Sequence, residues 1–244
     1  MVFSDTTNKN GIMQMIEQTT GIGDAIVTGS TIQKAYFTNL INQWYRIAAY
    51  FAWKVDKNWA FDDTNQTTFP MATADIVNNQ RDYTLPSDAL RIRQVEVMQS
   101  NGDYTTVEFM PENSGVLYTQ KEQEDAGVPT HYRLVGGSVI LYPKPNTSVL
   151  TATDGLRVTT DREVDAFVVG DTTQEPGLAK EFHPILYYGP CLEWATVKQS
   201  EGVKELCLRM LGGFSGLMDL LSDFYGSRNQ NVISAISPIK KRYK

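Results

Sequence analysis

The chain has 244 residues, 41% hydrophobic and 20% charged, a balance that excludes wholesale disorder and is long enough to bury a core without disulfide staples. Its 22 basic and 28 acidic residues give a formal charge of −6, which argues against a surface that grips nucleic acid broadly, since phosphate binding needs clustered Lys and Arg. Cys191 and Cys207 are the only two cysteines, too few for a disulfide framework or a four-cysteine zinc site, and they suit a reducing compartment.

The N-terminal run MVFSDTTNKNG lacks a basic segment followed by an apolar one, so no signal peptide is expected. No apolar stretch reaches the length of a membrane span, so no membrane partner is expected either. Ile12, Met15 and Ile16 predict a short helix, followed by a loop carrying Gly21, Gly23 and Gly29. Ser30 and Thr31 can cap the next element. From Thr31 to about Lys57, the residues Ile32, Tyr36, Leu40, Trp44, Ala48 and Phe51 recur at steps of three and four. That spacing predicts one long amphipathic helix with those residues as its core stripe, widened by Ile41, Ile47 and Val55.

The texture then changes to alternating apolar and polar residues rich in Thr, Val, Tyr and Pro. RIRQVEVMQ (91–99) and YTTVEFM (104–110) flank an Asn-Gly turn and predict a hairpin. HYRLV (131–135) and SVILY (138–142) predict a second hairpin across Gly136-Gly137, ended by Pro143 and Pro145. LRVTT (156–160) and AFVV (166–169) are further strand candidates, and residues 112–126 suit a loop or short helix. Helical spacing returns at Pro184, with a kink or division expected at Gly189-Pro190. Val203, Cys207, Met210, Phe214, Leu217, Leu221 and Phe224 form a seam with alternating steps of four and three. Gly212, Gly213 and Gly216 inside that seam suggest close helix packing, and the residues after Gly226 read as an extended tail.

These readings predict an α+β protein. Residues 1–57 and 183–226 supply the N- and C-terminal helices of one bundle, 58–182 a β-rich insertion, and 227–244 an extended tail.

Catalytic signatures are sparse. Neither His131 nor His183 has a neighbouring nucleophile at a meaningful spacing. GGFSG (212–216) fails the nucleophile-elbow pattern because Leu217 stands where a glycine is required, and TGIGDAIVTG (20–29) fits neither phosphate-loop spacing. The carboxylates at Asp62-Asp63, Glu122/Glu124/Asp125 and Asp161/Glu163/Asp165 lack an EF-hand pattern and read as solvated loop charge. No catalytic residue, metal site or cofactor is expected.

Two features point instead to partners. Trp44, Trp53, Trp59 and Phe61 belong to an aromatic crowd around the end of the long helix, too many to face one core, and are candidates for a subunit interface. The tail carries Lys240, Lys241, Arg242 and Lys244 among Ile236, Ile239 and Tyr243. It suits a peptide arm docking on a partner protein, a phosphate-binding arm or a plain disordered terminus.

WAFDDTNQTTFPMATADIVNNQRDYTLPSDALRIRQVEV (59–97), PTHYRLVGGSVILYPKP (129–145) and EPGLAKEFHPIL (175–186) together resemble the adaptor, or head-to-tail connector, proteins of tailed bacteriophages. In that family an aromatic-rich helix leads into F-D-D-T-N, then Q-x-D-Y-x-L-P-x-D and a strand. A hairpin ending Y-P-x-P and the C-terminal helices follow. The resemblance spans residues 30–225 in the expected order. It implies a virion structural protein at the neck, made in the host cytoplasm, not an enzyme. It further implies a ring of twelve copies beneath the portal, which extends the DNA channel without binding DNA specifically, docks neck or tail components and helps retain the genome. Residues Ser227–Lys244, with Ile236, Ile239, Lys240, Lys241, Arg242, Tyr243 and Lys244, would be the portal-binding arm. The β-rich insertion is long compared with the mostly helical adaptors of short-tailed phages, which leaves its neighbours open.

The rival readings are a tail-completion or collar protein, a cell-wall hydrolase using a carboxylate pair among Asp62, Asp63, Asp161 and Glu163, and a DNA-binding regulator whose affinity would fall steeply with salt.

Overall fold

The computed structural model describes residues 1–22, 30–56, 59, 71–87, 89–111, 120, 125–212 and 216–228. The chain is α+β and divides into two compact units, Met1–Asn65 with Val164–Lys244, and Gln66–Glu163. Residues 164–182, expected with the strands, fall in the helical unit.

Five α-helices are found among the described residues: α1 (Ile12–Thr20), α2 (Thr31–Val55), α3 (Ile185–Lys198), α4 (Glu201–Gly212) and α5 (Leu217–Arg228). Ser30 caps α2 by accepting a bond from the Gln33 amide at 3.4 Å, which ties down one of the amides a helix start leaves open. α1 and α2 pack on α3, α2 also packs on α5, and α4 joins α3 to α5.

The buried stripe of α2 matches the expected one only at Leu40, Ile41 and Ala48. Phe37, Leu40, Ile41, Tyr45, Ala48, Ala49 and Ala52 face the core, whereas Ile32, Tyr36 and Ile47 are exposed. Both sides of this helix carry apolar residues at helical spacing, so periodicity alone could not choose between them. Tyr45 decides the orientation. It is fully buried, its hydroxyl accepts from the Gly177 amide at 2.5 Å, and its ring lies 5.8 Å from that of Phe167.

One other expectation is corrected and two are made more specific. AFVV forms no strand: the Asn42 side chain donates to the Phe167 carbonyl and accepts from the Phe167 amide, each at 2.9 Å. One amide thereby occupies both backbone groups that a neighbouring strand would need. Phe167 then stacks on Phe3 with ring centroids 4.8 Å apart. The seam from Val203 to Phe224 is shared by two helices, α4 ending at Gly212 and α5 starting at Leu217, with the glycines concentrated where one helix gives way to the next. Finally, of the kink or division expected at Gly189-Pro190, the division does not occur: α3 runs through Pro190, and its packing against α1, α2 and α4 outweighs one missing backbone bond.

Gly189 has a contact role. A Cβ built there would lie 2.1 Å from Cδ2 of Trp44, whose indole rests on the α3 backbone, while the Trp44 Nε1 donates to Glu193 Oε1 at 2.7 Å one turn further on. Gly189→Ala is therefore expected to cost about 2 kcal/mol by overpacking. Chemical denaturation checks it, with Gly170→Ala, where the added methyl meets nothing within 4 Å, as the control.

The second unit holds β1 (Met71–Ala74), β2 (Asp82–Thr84), β3 (Ala89–Met98), β4 (Tyr104–Phe109), β5 (His131–Val135), β6 (Ser138–Tyr142) and β7 (Leu156–Arg162). They form one sheet in the order β1-β7-β3-β4-β5-β6-β2, antiparallel except for β4 with β5. Alternation sets which residues are inside. Val95, Val97, Val107, Val139, Leu141, Leu156 and Val158 bury one face with Ile76, Tyr83, Tyr132 and Leu150. On the other face Glu96 stands opposite Arg157, Arg157 Nε donates to Glu96 Oε2 at 2.7 Å, and the guanidinium lies 3.7 Å from the Tyr104 ring centroid. Gly136, at φ +59, makes the tight turn between β5 and β6 that an L-residue would strain.

Candidate functional site

The helical unit presents a second apolar face on α2, opposite its core stripe. At about 100° per residue, Ile32, Tyr36, Ile47 and Tyr50 fall within an arc of roughly 60°. Ile32 is 81% exposed and Tyr50 63% exposed. At the N-terminal end of this face lies a groove of about 460 Å³, lined by Ile32, Gln33 and Tyr36 of α2, Trp194, Val197 and Lys198 of α3, and Ile22. Val197 is 72% exposed. The helix is thus apolar on two opposite sides and buries only one of them against its own unit.

The interface candidates are placed unequally. Trp44 lies between α2 and α3, on Gly189 and Glu193. Trp53 is half-buried, its ring 5.6 Å from that of Trp59. Trp59 is 2% exposed and meets Tyr225 of α5 edge-on at 5.1 Å. The same cluster continues through Phe224 to Phe182, and the Tyr225 hydroxyl accepts from the Ala179 amide at 3.0 Å. Phe61 and the arm residues Ile236, Ile239, Lys240, Lys241, Arg242, Tyr243 and Lys244 lie outside the described residues. The exposed side of α2 was present in the sequence pattern as Ile32, Tyr36 and Ile47, but was assigned to the core.

The titratable groups serve packing. Asp161 is 5% exposed and takes both guanidinium groups of β3: Arg91 donates through Nε at 2.7 Å and lies within 2.6 Å through Nη2, and Arg93 bonds the other carboxylate oxygen. With each oxygen on a cation, this carboxylate is arranged as an ion-pair acceptor, not as a proton shuttle. Glu163 is exposed, and Asp62 and Asp63 lie outside the described residues. Among the described residues, no group of three His, Cys, Asp or Glu could hold a metal ion. Cys191 and Cys207 are buried free thiols. The neighbouring Cys207 thiol, with burial, holds the Cys191 thiol well above its ordinary range.

His183 is the one buried histidine. Its Nδ1 accepts from the Met1 amine at 2.9 Å, so its Nε2 carries the proton and donates to the Leu178 carbonyl at 2.9 Å. Burial is the main cause that lowers its pKa. An unfolded histidine takes up a proton near pH 6.5, while the folded one resists, so the unfolded state binds more protons below that pH. Stability is full above pH 6.5 and falls as the pH drops towards the folded pKa, with a slope of at most about 1.4 kcal/mol per pH unit. Urea midpoints between pH 7 and 5 check this; His183→Gln should flatten the slope.

A family model described as SU10 adaptor protein matches residues 30–211. The chain belongs to the SU10 adaptor protein family. The match bears out the resemblance to phage head-to-tail adaptors carried by the motifs at 59–97, 129–145 and 175–186. It runs from the cap of α2 through the whole sheet and nearly to the end of α4, so it takes in both the helical and the β unit. Membership implies a structural role in the phage particle. No curated protein matches the chain, and no helix among the described residues is long and apolar enough to cross a membrane.

Proposed function

We propose that this adaptor-family chain is the repeating subunit of a twelve-membered ring beneath the portal, which prolongs the DNA channel and offers neck and tail components a docking surface. The observation that carries the reading is the family match over residues 30–211. The helices form the bundle that builds the ring. Subunits join by a heterologous contact in which the exposed side of α2 and the adjoining groove receive a different patch of the next copy, because head-to-tail contacts close a ring only when two unlike surfaces meet. Trp53 extends that surface, Trp44 and Trp59 brace it, and Phe61 is a further candidate for the contact. The segment from Ser227 to Lys244, with its four cations at Lys240, Lys241, Arg242 and Lys244, is the portal arm. The net charge of −6 suits a conduit past which DNA slides without its phosphates being neutralised.

Mass photometry of the purified chain, alone and with portal rings, tests the reading. Closed assemblies of twelve copies that bind portal support it. A chain that stays monomeric at micromolar concentration and ignores portal contradicts it.

A further inference from the structure

The curled sheet has one open seam. Among the described residues β1 pairs only with β7 and β2 only with β6, which makes them the two ends of the strand order. Both ends line a single slot of about 300 Å³: Ala72, Thr73 and Ala74 on one side, Tyr83, Thr84 and Leu85 on the other, and Val139, Leu156 and Val158 beneath. A slot bounded by two strand edges, small along one wall and apolar at its base, has the chemistry of a missing strand. Main-chain groups on each side can pair with an inserted backbone, and its alternate side chains can face the core.

Charge indicates what enters. Asp75 directly follows β1 and Asp82 opens β2, so both stand at the same end of the seam. Asp154 joins them: its amide donates to Asp75 Oδ1 at 2.9 Å, and the Thr73 hydroxyl donates to its Oδ1 at 2.7 Å. All three aspartates are exposed. The nearest cation in sequence, Arg81, lies over the Tyr142 ring.

We propose that this slot receives the C-terminal segment of a second copy of the chain, with Val232–Ser237 as the inserted strand and the following cations on the aspartates. VISAIS has the β-branched and small residues such a slot accepts, and Pro238 ends the run because it cannot donate to a ladder. Lys240, Lys241, Arg242 and Lys244 come next. Cations that follow the strand meet the aspartates only if the segment runs parallel to β1 and antiparallel to β2. Residues 229–231 link Arg228 to the inserted strand and span about 13 Å fully extended, so the segment passes between copies that are in direct contact. The proposal deepens the reading of this segment as a portal arm: a copy's arm is held by another copy until the portal competes for it.

Mixing two full-length variants tests it. One carries Ala74→Cys in the slot wall. The other carries a single cysteine at 233, 234, 235, 236 or 237, and mild oxidation traps contacts between copies. Disulfide yield should peak at one position of the segment, with its immediate neighbours, whose side chains face the other way, trapped at least about 10-fold less, as a strand requires. Asp82→Lys should reduce the trapped fraction severalfold at low salt and little at high salt. Yields no greater than with Asn101→Cys, at the distant β3–β4 turn, would overturn the proposal, as would equal yields at all five positions. Thr84→Cys, from the opposite wall, replaces Ala74→Cys if that variant does not fold. Trapping depends on the slot alone, whereas the portal reading fails only if the chain does not bind portal, so the two failures are distinguishable.

Discussion

Asp161→Ala lowers the stability of the β unit by about 2–3 kcal/mol, the scale expected when a buried carboxylate that accepts charge-assisted hydrogen bonds is removed from guanidinium groups that solvent partly screens. The reason lies in the register of β3 on β7. Ala89 pairs with Arg162, Arg91 with Asp161 and Ile92 with Thr160, with register shifts between Ala89 and Arg91 and between Ile92 and Gln94. These irregularities bring Arg91 and Arg93, two residues apart on one strand, onto the same carboxylate. Without Asp161, two guanidinium groups on one strand lose the carboxylate that both of them bond. Asp161→Asn keeps the volume but loses the charge, and should fall between alanine and wild type. Glu163→Gln, exposed two residues away, should stay within about 0.5 kcal/mol. Urea denaturation followed by far-UV circular dichroism checks all three. A loss below about 1 kcal/mol for Asp161→Ala would mean that the two guanidinium groups are held mainly by other contacts.

Charging the exposed side of α2 should leave the monomer intact and abolish assembly. Tyr50→Asp and Ile47→Asp replace side chains that point away from the core, so each should change monomer stability by less than about 1 kcal/mol. In a ring the same aspartate would be desolvated at every subunit contact. Buried aromatic anchors of interfaces contribute about 2–4 kcal/mol each, and 2.7 kcal/mol corresponds to roughly 100-fold in affinity. Either variant should therefore raise the concentration needed for ring assembly about 100-fold or more, measured by mass photometry. Assembly at the wild-type concentration would move the subunit contact to another face. A variant that unfolds would contradict the orientation of α2 around Tyr45.

The elements with one strong local signal were legible from the sequence. α1, the cap of α2, both hairpins and β7 follow from capping, turn chemistry and alternation, which act within a few residues. β1 and β2 escaped because four- and three-residue edge strands hold too few side chains to show a period. AFVV has the composition of a strand, yet Asn42, distant in sequence, occupies its backbone. The orientation of α2 was ambiguous because the stripe of Ile32, Tyr36 and Ile47 is apolar without facing the chain's own core. The pairing of Asp161 with Arg91 and Arg93 depends on strand register, which no local pattern reveals. The family motifs, by contrast, were readable because they occur in order along the chain and not as a single constellation.

Electron microscopy of intact phage particles labelled with an antibody against the chain tests the central claim most directly. The account predicts label at a single vertex, between head and tail, in a number consistent with one ring per particle. Label spread over the capsid or along the tail, or particles that lack the chain by mass spectrometry, would contradict it.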